Sequence, residues 1–125
     1  MKFTKEQKRK ILKGMRSRLE RPGGWVQNVF TDRSKEDTRG YPSFCLAGAA
    51  NDAAKEIGIF DGYGDQDAVV KALSIDALAA AKLGAKAQAE VEESGEVATY
   101  TFNDRSKTRK KDVLALVDEK LAELS

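Results

Sequence analysis

The sequence predicts an α+β fold, a mostly helical single domain of about five helices with a small antiparallel β-hairpin or three-stranded sheet. Three observations carry that expectation. Apolar residues recur at helical spacing near both ends of the chain, in Ile11, Leu12, Met15 and Leu19 and again in Val113, Val117, Leu121 and Leu124. An alanine-rich stretch between Pro42 and Gly58 reads as a helix with few large side chains, which neighbours can approach closely. Residues 86–102 first alternate polar with apolar and then turn rich in β-branched and aromatic types, as a strand pair does.

The elements follow in order. Thr4 and Gln7 have the spacing of a capping box, so a first helix starts near Lys5. It ends at Arg21-Pro22-Gly23-Gly24, because Pro and Gly do not continue a helix. Residues 25–31 read as a short strand or extended segment, and 32–40 as an exposed polar loop. Pro42 suits the first turn of a second helix and Gly58 its end, with Leu46, Ala49, Ala50, Ala53 and Ile57 on one face. This is the expected central buried helix.

After the turn-rich Asp61-Gly62-Tyr63-Gly64-Asp65, a third helix carries Val69, Val70 and Leu73. The apolar stripe changes phase at Ser74, so a break is expected there, with Ser74 capping a fourth helix that ends at Gly84. Ala87, Ala89 and Val91 alternate with Lys86, Gln88, Glu90 and Glu92, and Glu93-Ser94-Gly95 can turn the chain into Val97–Phe102. That pattern predicts a hairpin, with 25–31 as its third strand. Thr108 is the expected cap of a last helix.

The length of 125 residues suits one domain, 1–125, frayed at 1–4 and 125. Hydrophobic residues make up 41% and charged residues 34%, which fits a heavily charged surface around an independent core. No run of about 18 apolar residues could cross a membrane. No apolar signal core follows Met1-Lys2-Phe3-Thr4-Lys5-Glu6, so a cytoplasmic location is expected.

Several chemistries are excluded or weakened. There is no histidine and one cysteine, Cys45, so no intrachain disulfide, no imidazole-based triad and no imidazole metal site can form. Cys45 falls in the expected first turn of the second helix, where the dipole would favour a thiolate, yet an acyl-transfer cysteine needs a base that this chain lacks. Packing as a small hydrophobe is the expected role. Asp61, Asp65 and Asp67 resemble part of a calcium loop, but the twelfth position from Asp61 is Ala72, where a bidentate Glu is required. No catalytic residue, metal site or cofactor is therefore expected. Tyr100 and Phe102 would share one strand face; without an RNP-type motif they are expected in the core, in one cluster with Trp25 and Phe44.

The small net charge of +2 hides a strong segregation. Residues 1–21 carry nine basic and two acidic side chains, whereas residues 51–104 carry four basic and eleven acidic. Lys5, Arg9, Lys13 and Arg16 form a stripe on the first helix, beside its apolar face. A second cluster, Arg105, Lys107, Arg109, Lys110 and Lys111, sits at a helix N-terminus, where cations oppose the dipole. The two segments either balance the acidic middle or bind a polyanion.

Taken as a whole, the chain resembles an uncharacterised domain-of-unknown-function family of small actinobacterial and actinobacteriophage proteins. The residues that carry the resemblance are Gly24-Trp25, Cys45-Leu46-Ala47-Gly48-Ala49, Phe102-Asn103-Asp104 and Val113-Leu114-Ala115-Leu116. Order and spacing agree over residues 10–120, more loosely over 60–100. Phe44 and Phe102 stand where the family tends to have Trp. The resemblance implies no activity and suggests an intracellular accessory protein.

The expected function is accordingly that of a small non-enzymatic protein that binds an intracellular protein partner, with no membrane role. The alternative is a nucleic-acid-binding protein using the two basic segments, with weak non-specific binding. An enzyme built on Cys45 is the third and least supported reading.

Overall fold

Thr4 opens α1 (Lys5–Glu20) with a reciprocal cap in the computed structural model, which describes residues 1–125. Its hydroxyl accepts from the Gln7 amide at 3.1 Å, and Gln7 Oε1 accepts from the Thr4 amide at 2.9 Å. The four apolar residues that recur at helical spacing, Ile11, Leu12, Met15 and Leu19, are all fully buried. They face α3 (Leu46–Glu56), the central helix, in which every residue from Leu46 to Asn51 is buried together with Ala53 and Ala54. The small side chains serve close approach: a Cβ on Gly14 would lie 3.0 Å from the Ala53 Cβ. On another side, a Cβ on Gly48 would lie 2.1 Å from the Phe30 carbonyl oxygen, so that backbone passes directly over Gly48.

Between these helices runs β1 (Thr31–Asp32), antiparallel to β2 (Ser43–Phe44), with Thr31 opposite Phe44. Trp25 forms a single parallel bridge to Phe44. The expected strand over 25–31 is thus reduced to pairing at its two ends. The stretch expected as a loop contains a single helical turn, α2 (Glu36–Arg39), closed by Gly40 at φ 84°. The central helix begins at Leu46 rather than near Pro42, because residues 43–44 are held in the sheet.

The phase change at Ser74 does separate two helices, α4 (Ala68–Ala72) and α5 (Ile75–Lys82). Ser74 does not cap the second of them. It sits at φ 60° and its side chain makes no capping hydrogen bond, so it forms the corner by its backbone alone.

The predicted hairpin is not formed. Residues 85–104 fold as α6 (Ala85–Ser94) and α7 (Ala98–Asp104). Alanine supplies little contrast between an inner and an outer face, so its alternation with Lys, Gln and Glu carries almost no periodicity, and helix propensity prevails. Gly95, at φ 74°, closes α6 as its C-cap. In α7 tertiary contacts override strand composition. Ala98, Thr99, Phe102 and Asn103 are the buried residues, a helical spacing. Asp76 Oδ1 accepts from both the amide and the hydroxyl of Thr99 at 2.9 Å, which satisfies a donor at the helix start.

The last helix, α8 (Lys110–Glu123), lies antiparallel to α1 and buries Val113, Leu116 and Val117, while Leu121 and Leu124 are half-buried. Its N-cap is Arg109, not Thr108; Asp112 Oδ2 accepts from the Arg109 amide at 2.8 Å. Thr108 is buried instead, and its hydroxyl donates to the Phe102 carbonyl at 2.7 Å. The fold is therefore mostly helical, with eight helices rather than about five, and its sheet has two strands.

Phe44 and Phe102 are buried in one core of 25 residues, against which Trp25 and Tyr100 are packed half-buried. Tyr100 pairs edge-on with Phe30, with ring centroids 5.5 Å apart. Phe102 is 2% exposed and carries the Arg105 guanidinium 5.0 Å from its ring centre. Truncation of Phe102 to Ala should cost about 3–5 kcal/mol in denaturant melts, as for other buried aromatics.

Candidate functional site

Three of the four segments that carry the family resemblance converge on one side chain. Asn103, 1% exposed on α7, accepts at Oδ1 from Trp25 Nε1 at 2.8 Å and from the Leu46 amide at 3.0 Å. Its Nδ2 donates to the Val26 carbonyl at 3.1 Å and to Asp104 Oδ1 at 2.8 Å. Gln27 Nε2 adds bonds to the carbonyls of Asn103 and Arg105. Asp104 Oδ1 accepts from the Asn28 amide at 2.8 Å and so holds Asn28 at φ 71°, a left-handed conformation that a non-glycine residue seldom adopts. The segment 25–30 is thereby pinned over the start of α3, and its tip, Val29 and Phe30, is exposed.

Beneath that tip lies a cavity of about 160 Å³ lined by Val29, Phe30, Cys45, Tyr100 and Asp104. Cys45 is the N-cap of α3 and is 3% exposed, so the structure buries it as expected of a packing cysteine. Its position differs from the expected first turn, and so does its chemistry. Sγ accepts from the Gly48 amide at 3.3 Å, which favours the thiolate, but burial outweighs this and pushes the thiol up from its ordinary range. Tyr100 donates its hydroxyl to Asp67 Oδ1 at 2.6 Å; burial and that carboxylate together keep the phenol protonated.

The basic residues singled out from the sequence divide into engaged and free groups. Arg9 Nε donates to the Leu124 carbonyl at 2.9 Å, at the end of α8. Arg16 binds Asp118 at 2.7 Å and also Glu20. Arg105 Nε donates to Thr108 Oγ1 at 2.7 Å and Nη1 to the Lys82 carbonyl at 3.3 Å. Lys110 Nζ donates to the carbonyls of Arg21 at 2.6 Å and Glu20 at 3.0 Å, which satisfies the C-terminal end of α1. Arg109 bonds the nearby Ser106 carbonyl. Lys5, Lys13, Lys107 and Lys111 are exposed and paired with nothing.

Because α1 and α8 run antiparallel, Lys110 meets the C-terminal end of α1 and Lys5 stands roughly 22 Å away along the helix axis. Arg16, four residues before Glu20, lies about 6 Å from that end along the axis, so the two basic segments approach each other there and diverge toward Lys5. The most deeply engaged cation is one that sequence reasoning missed. Arg18, its side chain 11% exposed, binds Asp52 at 2.8 Å and Glu56 at 2.7 Å on α3. Burial alone would lower its pKa, yet the two carboxylates outweigh burial and raise it. The spacing of Asp52 and Glu56, four apart on one helix, is the signal that could have revealed an arginine clamp.

The Asp61, Asp65 and Asp67 carboxylates are turned to separate partners. Asp61 accepts from the Tyr63 amide, Asp65 from the Asp67 amide and Asp67 from Tyr100. Val29 and Phe30 are the site residues that sequence reasoning did not single out. Two adjacent apolar residues between polar Asn28 and Thr31 are a weak signal, since a short strand shows the same composition.

The chain is thus a small helical domain in which an exposed apolar loop tip is held by a buried asparagine. It belongs to a family of unknown function (DUF6197), whose model matches residues 4–122. No curated protein and no solved structure matches it. No helix is long and apolar enough to cross a membrane.

Replacing Asn103 with Ala leaves the Trp25 indole and the Leu46 amide without an acceptor. A loss of about 2 kcal/mol or more is expected in denaturant melts, with a changed Trp25 emission spectrum in the folded state. Cys45, buried and protonated at neutral pH, should react with a thiol reagent only as fast as the protein opens; labelling at the rate of an exposed low-pKa thiol would contradict its placement.

Proposed function

We propose that this protein works by binding another protein inside the cell and is not an enzyme. The observation that carries this reading is the exposed pair Val29 and Phe30 on a loop that Asn103 and Asp104 hold in place by hydrogen bonds. Exposed bulky apolar side chains on a rigid mount suit a protein interface, where preorganised anchors lose little entropy on binding. The buried, protonated Cys45 supports the non-enzymatic side of the reading. The resemblance to small actinobacterial and phage proteins supports an accessory role in the bacterial cytoplasm, with a host protein as the target.

The nucleic-acid alternative has less support. Its strongest cations, Arg9, Arg16, Arg105 and Lys110, are engaged within the fold. A variant with Gln at Lys5, Lys13, Lys107 and Lys111 removes the free cations among the nine singled-out residues at little expected cost to folding, because none has a partner. Wild-type protein titrated with labelled duplex and single-stranded DNA should bind weakly at low salt and lose that binding steeply as salt rises. Sub-micromolar binding at physiological salt, abolished in the variant, would replace this reading with the nucleic-acid one. Affinity capture from the native host should retain a protein partner after nuclease treatment.

A further inference from the structure

Three cavities lie in series along one side of α3. The first, over Cys45, ends at Phe30. The second, of about 200 Å³, starts from the same Phe30 and reaches Phe60 across Gly48 and Asn51. The third, of about 730 Å³, shares Phe60 and Lys55 with the second and opens between Ile59, Tyr63 and Met1. Four of the protein's five exposed large hydrophobic residues line this trough: Met1 at 58%, Val29 at 49%, Phe30 at 38% and Tyr63 at 80% exposure. The exposed apolar surface is therefore concentrated here and not scattered, as isolated surface residues would be.

The trough also has a sign. Asp52 is taken by Arg18, but Asp61, Asp65 and Asp104 make no ion pair, and Lys55 is the only cation in the walls. Backbone amides hold these three carboxylates in place without neutralising them: Tyr63 and Asp67 donate to Asp61 and Asp65, and Asn28 donates to Asp104. Fixed, unpaired carboxylates beside exposed aromatic and aliphatic groups repel a phosphate backbone and attract a chain with the opposite sign. A second copy does not meet the requirement. Its basic helix α1 has its apolar residues fully buried, so that helix offers charge with no side chain to fill the cavities.

We infer that this trough is the docking site for an amphipathic segment of a partner protein, bulky apolar side chains seated along Val29, Phe30 and Tyr63 and Lys or Arg side chains facing Asp61, Asp65 and Asp104. The inference rests on the protein-binding function proposed above and names the surface and the chemistry of the partner.

The probe is a short amidated peptide in which pairs of leucine alternate with pairs of lysine, compared with the same peptide carrying glutamate for lysine. Both are titrated into the full-length, ¹⁵N-labelled protein. The lysine peptide should give saturable shifts at the amides of Val29, Phe30, Gly62 and Tyr63. The glutamate peptide should give none. Combined D61N and D65N substitution should weaken binding about tenfold, corresponding to about 1.4 kcal/mol, and so should Tyr63→Ser. Asn preserves the side-chain acceptor of both turns, and Tyr63 is exposed, so these variants keep the fold. Shifts centred on α1 or α8, equal binding of the glutamate peptide, or binding unchanged in both variants would overturn the inference. In host capture, a nuclease-resistant partner that survives all three substitutions sinks the trough and leaves the protein-binding function standing. Loss of every nuclease-resistant partner from the wild type sinks the function itself.

Discussion

The fold depends on one buried carboxamide. Asn103 joins the loop after α1, the start of α3 and the end of α7, segments separated by 57 and 78 residues in the two bonds to its Oδ1. A hydrogen bond in a folded protein contributes only about 1 kcal/mol net, but leaving a buried donor unpaired costs about 1–3 kcal/mol. A group that satisfies an indole and a helix-start amide at once therefore acts mainly by what its loss would expose. The geometry also has a directional effect. With Val26 and Asp104 drawn to the same side chain, the segment between Trp25 and Phe30 cannot relax, and its tip stays outside the core.

Close backbone packing makes the same arrangement unique. The Phe30 carbonyl runs over Gly48, where any side chain would collide with it, and the Cys45 amide donates to that carbonyl at 3.0 Å. Cys45 then caps α3 with its sulfur, and the space above it is closed by Phe30 and Tyr100. Glycine at 48, cysteine at 45 and asparagine at 103 are thus three parts of one junction. Each of the three carries packing or hydrogen bonding at that junction.

Electrostatics follows from the helix pairing. The strongly basic α1 lies between α3 and α8, and each neighbour takes some of its charge: Asp52 and Glu56 take Arg18, Asp118 takes Arg16, and the Leu124 carbonyl takes Arg9. Exposed pairs of this kind stabilise little, about 0–1 kcal/mol each, but they occupy the cations. The partly buried Arg18 is better placed, with two carboxylates on a guanidinium fork. What remains unpaired includes carboxylate at Asp61, Asp65 and Asp104 beside α3 and at Glu90, Glu92, Glu93 and Glu96 around α6, with free lysines such as Lys5 and Lys13 on α1.

The sequence sets the elements whose signals are local. The Thr4 cap, the inner face of α1 and the break at Ser74 depend on neighbours within a turn or two and stand where the pattern puts them, whereas the small-residue central helix starts at Leu46 rather than near Pro42 and leaves the expected face residue Ile57 exposed at its end. It also sets the absence of imidazole chemistry and the segregation of charge. Tertiary structure makes residues 85–104 two helices, because alanine reads the same on either face and Val97–Phe102 takes its conformation from Asp76 and the core. It also decides that Cys45 is buried and protonated, that four of the nine singled-out cations are free lysines, and that Val29 and Phe30 stand outside. Ionisation, pairing and exposure depend on distances across the fold. Those distances are set by packing between segments far apart in the chain, which no local spacing encodes.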